Sequence, residues 1–234
     1  MRLERYMRLA ILFCLSFSYL AATAADRNEN IDPGLVELVE KIDARAGSIV
    51  TMRAHFLQRK EISLLKDPVE MEGTFLIKKP DGIKFDFDPK EDLILIMNKD
   101  EMISLSHKAK KANRIKMKKR KTDLTRGILS EKLKTLLGYF NLTRASGSDG
   151  NHLILKPSKR KLKKRFQDVQ IWVNNEHMIY KIKVTLKDGD VFQLELTDIE
   201  LNVDLDSALF DTTIPDEYEL GDRMEYIFGS NIAF

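Results

Sequence analysis

Between Met71 and Phe87 apolar and polar side chains alternate at almost every step, and a single turn interrupts them. Met71, Gly73, Phe75 and Ile77 hold one parity, and Glu70, Glu72, Thr74 and Lys78 hold the other. Beyond Pro80-Asp81-Gly82, Ile83, Phe85 and Phe87 alternate with Lys84, Asp86 and Asp88. A period of two on both sides of a Pro-Asp-Gly turn predicts two antiparallel strands with one apolar and one wet face. Large aromatics crowd the apolar face, so something sizeable must cover it. The cover is either packed core or a bound apolar guest.

The remaining pattern is mostly strand. Asp32-Pro33 reads as a helix start, and Leu35, Leu38, Val39, Ile42 and Ala46 form one apolar stripe that ends at Gly47-Ser48. Strand alternation resumes through Met52, Ala54 and Phe56. Strands are also expected at Leu93–Met97, Met102–Leu105 and around Ile115 and Met117. A second helix is expected over Leu124–Phe140, with Leu129, Leu133, Leu136, Leu137 and Phe140 on its apolar face. Four further strands follow, at His152–Lys156, Gln167–Val173, Met178–Leu186 and Val191–Val203.

The last of these carries a defect. Phe192, Leu194 and Leu196 share one parity, whereas Ile199, Leu201 and Val203 share the other. A one-residue slip at Thr197-Asp198 predicts a bulge or bend, as a strongly curved sheet requires. The expected architecture is mainly β (α+β), a single domain over residues 26–234 with a curled antiparallel sheet of about ten to eleven strands.

Residues 1–25 are read as a signal peptide outside that domain. Arg2, Arg5 and Arg8 precede an apolar run from Leu9 to Ala22, and Ala22-Thr23-Ala24-Ala25 offers small residues for cleavage. An uncleaved anchor is the alternative. Cys14, the single cysteine of the chain, lies inside this segment. The expected location is a periplasm, and no later run is apolar enough to span a membrane.

Catalytic chemistry has no foothold. His55, His107, His152 and His177 are scattered singly, and no glycine-rich phosphate loop or serine elbow occurs. The expectation is a non-enzyme without metal or cofactor. Charge is segregated: Lys108–Lys121 holds nine Lys or Arg in fourteen residues, and Lys156–Arg165 holds seven in ten. Nucleic acid is an unfit partner, because the runs lack interleaved aromatics and the acidic C-terminal half repels phosphate. The runs are either solvated faces or docking surfaces for an acidic partner or anionic lipid headgroups. From the first run, Lys110, Lys111, Arg114, Lys118 and Lys119 are the docking candidates.

Candidate cavity residues follow from the apolar inventory: Phe56, Phe75, Ile77, Phe85, Phe87, Met97, Met102, Met117, Trp172 and Tyr180, with the second helix's Leu129, Leu133, Leu136, Leu137 and Phe140. Methionine is flexible and polarizable, which suits variable acyl chains. For each residue, plain core is the competing reading.

Phe56-Leu57-Gln58, Gly73-x-Phe75-x-Ile77-x-Lys79-Pro80, the aromatic at Phe85, the mid-chain hydrophobic helix, and Leu209-Phe210 with Ile214-Pro215 occur in an order that resembles the LolA-type periplasmic lipoprotein carriers over about residues 33–220. The resemblance implies an incomplete barrel with a helical lid over an apolar cavity. It also implies carriage of acylated cargo from an inner-membrane ABC exporter of LolCDE type to an outer-membrane acceptor, by a protein expected to be monomeric. In the well-studied branch an arginine before the hairpin proline links barrel to lid; here the position is Lys79, which lacks the planar bidentate geometry of arginine. A paralogue carrying a glycolipid or polyene precursor and an envelope-stress lipid sensor are the alternatives.

Overall fold

The computed structural model describes residues 32–116, 133–146 and 151–221. Helix α1 (Pro33–Ser48) begins where the sequence places it: the Asp32 side chain accepts from the Gly34 N–H at 3.0 Å, and Pro33 fills the first turn. Its buried residues are Leu35, Leu38, Val39 and Ile42, four of the five in the predicted stripe, and the fifth, Ala46, is half-buried.

Twelve strands follow: β1 (Thr51–Glu61), β2 (Val69–Lys78), β3 (Gly82–Phe87), β4 (Ile94–Met97), β5 (Glu101–Ser106), β6 (Lys111–Lys116), β7 (Phe140–Arg144), β8 (His152–Pro157), β9 (Phe166–Val173), β10 (Ile179–Leu186), β11 (Val191–Leu201) and β12 (Glu219–Gly221). Two short helices, α2 (Leu133–Leu136) and α3 (Arg160–Lys163), precede β7 and β9. No helix among the described residues is long and apolar enough to cross a membrane.

All twelve strands join one sheet in the order β12-β6-β5-β4-β3-β2-β1-β11-β10-β9-β8-β7, and the ladder does not close on itself. Every pairing is antiparallel except β12 on β6. The hairpin pairs Gly73 with Phe87, Phe75 with Phe85 and Ile77 with Ile83, as its alternation predicts. Two glycines are sterically required there. A Cβ on Gly73 would sit 2.1 Å from the Asp86 carbonyl oxygen, and one on Gly82 would sit 2.4 Å from that of Met97. The predicted phase slip is also present: Arg53 pairs with Glu200 but His55 pairs with Thr197, and Asp198 adopts a left-handed φ of 49°.

The strand total exceeds the expected ten to eleven because of β7 and β12, which the sequence pattern does not assign. Phe140 was expected on the second helix. Instead α2 stops at Leu136, Leu137–Tyr139 form a turn, and Phe140 opens β7 opposite Pro157. Leu137 therefore packs from the turn rather than from a helical face. The residues expected to form the front of that helix, with Leu129, and the candidates Met117, Lys118 and Lys119 lie outside the described residues, as does the segment read as a signal peptide.

Two large apolar clusters share the inner face of the sheet. One joins α1 and α2 to β7–β10; the other joins the hairpin to β1, β4, β5 and the later half of β11. Their seam positions the site.

Candidate ligand-binding cavity

The hairpin aromatics interlock. Phe56 meets Phe85 edge-on at 5.3 Å between ring centroids and Phe87 at 5.0 Å, with interplanar angles of 82° and 83°. Phe75 and Phe85 are 4.7 Å apart. Such edge-to-face contacts direct the positive ring edge at the negative ring face and hold the wall rigid. Met97 and Met102 pack into the same cluster. Phe56, Phe85, Phe87, Met97 and Met102 thus form the packed backing of one wall.

In front of that wall, at the seam between the two clusters, is a cavity of about 140 Å³. Phase and register bring its lining together from four directions. Ile42 and Ala46 come from the C-terminal half of α1, and Met52, Phe75 and Ile77 from β1 and β2. Leu133 and Leu136 of α2 join Val169 and Ile171 of β9 in the lining, which Met178, Ile179, Tyr180, Leu194 and Leu196 extend. Of the sequence candidates, Phe75, Ile77, Leu133, Leu136 and Tyr180 line the space itself, and Phe140 and Leu137 support it from the adjoining cluster.

Trp172 does not belong to the cavity. On β9, Val169, Ile171 and Val173 are buried, so Trp172 takes the opposite parity. Its ring stacks on His152 at 4.3 Å and 12°, and the Lys181 ammonium lies 5.3 Å from its centroid. Strand parity overrides apolarity here, and the expectation is corrected.

Asp43, Lys79, His177 and Lys181 rim the apolar lining. Asp43 accepts from the Leu133 N–H and, at 3.2 Å, from the Lys134 N–H, which fastens α2 to α1. Lys79 donates from Nζ to the Ala46 carbonyl at 2.7 Å, at the C-terminal end of α1, where unsatisfied carbonyls and the helix dipole favour a cation. Partial burial lowers its pKa from the usual lysine value. His177 has a φ of 60°, and its Nδ1 is buried without a hydrogen-bond partner. Two more ties hold α1 down: Arg45 donates to Glu176 at 2.6 Å, and Arg144 donates to the Gly34 carbonyl at 2.9 Å.

Sequence reasoning missed Ile42, Ala46, Val169, Ile171, His177 and Met178 as lining residues. Their strand or helix faces were legible, but which face opens onto a void rather than onto packed neighbours was not.

Most of the docking candidates in the first basic run are already engaged. Arg114 pairs with Glu101 at 3.2 Å and donates to the Thr212 carbonyl at 2.9 Å. Lys110 lies 3.6 Å from Glu217 and over the Tyr218 ring, and Lys111 is half-buried on β6. These residues brace the C-terminal segment against β5 and β6.

The family model described as outer membrane lipoprotein carrier protein LolA matches residues 47–213. The chain belongs to the LolA family. The match spans the whole ladder from β1 to β11 and includes the cavity wall, though most of α1 precedes it. An uncharacterized conserved protein from Thermus thermophilus has a similar fold, with 8% identity, a TM-score of 0.50, and coverage of 80% of this chain and 98% of that one. A LolA superfamily protein from Nitrosomonas europaea is 15% identical over 76% of this chain and 97% of its own, at a TM-score of 0.41. The lipoprotein LppX of Mycobacterium tuberculosis is 13% identical over 75% and 100%, at 0.47. No curated protein matches the chain. As in the LolA family at large, the architecture is that of a carrier or binding protein.

Proposed function

We propose that this LolA-family protein is a periplasmic carrier that holds the acyl chains of a lipidated cargo, a lipoprotein in the first instance, between the inner and outer membranes. The observation that carries the reading is the apolar cavity beneath α1, at the seam of two core clusters. Exposing an acyl chain to water costs about 0.8 kcal/mol per methylene, so aqueous transit requires a shielded site. An inner-membrane ABC exporter of LolCDE type would load the cargo and an outer-membrane acceptor would receive it. Export by a signal peptide at residues 1–25 fits this route.

The cavity volume constrains the mechanism. At about 140 Å³ it is close to the engineered protein cavity of roughly 150 Å³ that admits a single benzene ring. A whole acyl chain needs more room, so loading displaces α1. Among the described residues the polar ties of α1 are few: Gly34 with Arg144 near its start, Asp43 with the N–H groups of Leu133 and Lys134, and Arg45 with Glu176 and Ala46 with Lys79 near its end. Between them α1 is held by its apolar stripe. An entering chain would replace those contacts with its own methylenes, so the exchange conserves apolar burial while each broken tie costs about 1 kcal/mol. Lys79 acts on this reading as the latch between hairpin and lid.

Purification of the protein in its native processed form, extraction with organic solvent and mass spectrometry tests the proposal. Acylated peptide or lipid should be recovered, and which of the two is found distinguishes a lipoprotein carrier from a paralogue with other lipid cargo. An empty extract, combined with no uptake of a hydrophobic fluorescent probe, would overturn it.

A further inference from the structure

Register divides the sheet into two ends. Thr51, Lys78, Leu201, Val173 and Ile179 lie at one end, with Lys79 and the lid ties. Glu61, Val69, Val191, Leu186, Phe166 and Pro157 lie at the other. The second basic run caps this other end, because it connects β8 to β9.

The run differs from the first in having no internal employment. Leu162 is buried and anchors α3, while Arg160, Lys161, Lys163, Lys164 and Arg165 stand exposed around it. Among the described residues, none of the seven cations from Lys156 to Arg165 forms an ion pair, and the one contact made by their charged groups is Arg165 over the Phe166 ring at 5.8 Å. Two neighbouring turns extend the face. The Lys187 N–H bonds the Arg165 carbonyl, which places the β10–β11 turn beside the run. That turn is tied to the β1–β2 connection by Asp190, whose Oδ1 accepts from the Ser63 N–H and Oγ at 2.8 Å each. The residue after Ser63 is Leu64, 51% exposed, and Lys66 follows, also exposed. Asp67 and Asp188 are the exposed acids on these two turns.

Held together by packing yet unpaired, like charges repel and lower stability, so the cluster needs a counter-charge from outside. Its chemistry discriminates between partners. Protein interfaces are depleted in lysine and centre on buried aromatic or arginine anchors, and this face has neither an exposed aromatic nor a fixed arginine fork. A delocalised anionic plane suits flexible ammonium groups, and clusters of this size are what such planes attract. We propose that the face formed by the Lys156–Arg165 run, the Lys187 turn and Leu64 docks the protein onto the anionic headgroup surface of a lipid bilayer, with Leu64 entering the headgroup layer. The inference is independent of the cavity: a protein with no cargo still has this face.

The test is co-sedimentation of the processed protein with phosphatidylcholine vesicles, with and without phosphatidylglycerol. Binding should require the anionic lipid and should fall steeply with added salt. Each cation near the surface contributes on the order of fivefold in partitioning. The variant Arg160→Gln/Lys161→Gln/Lys163→Gln/Lys164→Gln should therefore lose at least about tenfold while keeping its circular dichroism and its probe uptake. Leu64→Ser should weaken binding in a salt-insensitive way. Equal binding to purely zwitterionic vesicles, no binding to either kind, or full binding by the quadruple variant would each overturn the proposal. Loss of probe uptake in the wild type would instead count against the carrier function.

Discussion

Lys60 offers a quantitative test of how the inner face is built. It follows Phe56 and Gln58 in parity on β1, pairs with Phe192 and Val69, and is 4% exposed. Asp190, at the same end of the sheet, is bound to Ser63 and forms no ion pair with it. Burial alone pushes the Lys60 pKa down from 10.5 to about 8. The folded protein therefore holds fewer protons than the unfolded chain between pH 8 and 10.5. Stability contributed by this residue is greatest above pH 10.5, falls as pH drops through that window, and is fully lost below about pH 8. At about 1.36 kcal/mol per pKa unit, the gap corresponds to a penalty of about 3 kcal/mol at pH 7. Lys60→Met keeps an unbranched stem and removes the charge, and replacing a buried charge by an apolar group of similar volume is commonly stabilising. Urea denaturation of both proteins at a series of pH values should show the variant about 3 kcal/mol more stable at pH 7. The difference should shrink by about 1.4 kcal/mol per pH unit above pH 8. A variant less stable than wild type at pH 7, or a difference that ignores pH, would refute the account of Lys60 as an uncompensated buried ammonium.

Three further outcomes are expected. Lys79→Met removes the bond to the Ala46 carbonyl, so hydrophobic-probe uptake measured by stopped flow should accelerate while stability falls by about 1 kcal/mol; an unchanged rate would end the latch role. Leu196→Trp should fill the cavity and abolish probe uptake with the strand signal in circular dichroism intact, and normal uptake would show that the guest binds elsewhere. Gly73→Ala forces a Cβ to within 2.1 Å of the Asp86 carbonyl oxygen, so β2 and β3 must part; a loss of roughly 3 kcal/mol or more is expected by denaturation, and a loss below about 1 kcal/mol would show that the hairpin yields more easily than its packing implies.

The sheet was legible wherever alternation was long enough to fix both phase and face. The Met71–Phe87 hairpin and the slip at Asp198 were read directly, because a single residue out of phase turns a strand's side chains over. β12, three residues long, has too few steps for a period, and its parallel pairing with β6 is a tertiary event. β7 was hidden for a different reason: Leu133, Leu136, Leu137 and Phe140 also satisfy a helical spacing, and only the tertiary partner Pro157 decides for strand at Phe140. Trp172 and Lys60 teach one lesson from opposite sides. In both, parity gave the right face and residue chemistry argued for the wrong one. The cavity itself was not legible, because a void is a property of how two clusters fail to meet, and no local pattern encodes that failure.

The ladder that starts at β12 and stops at β7 without joining has a mechanical consequence. A closed barrel has its girth dictated by strand number and shear, and enlarging it breaks backbone hydrogen bonds. An unclosed sheet can relax or tighten its curl with every rung of the ladder intact, so widening the interior is resisted by side-chain repacking and the polar ties of α1 rather than by the backbone ladder. The bore of this protein is thus an adjustable quantity, and one chain length can grip guests of different thickness as a spring clip grips rods of different gauge.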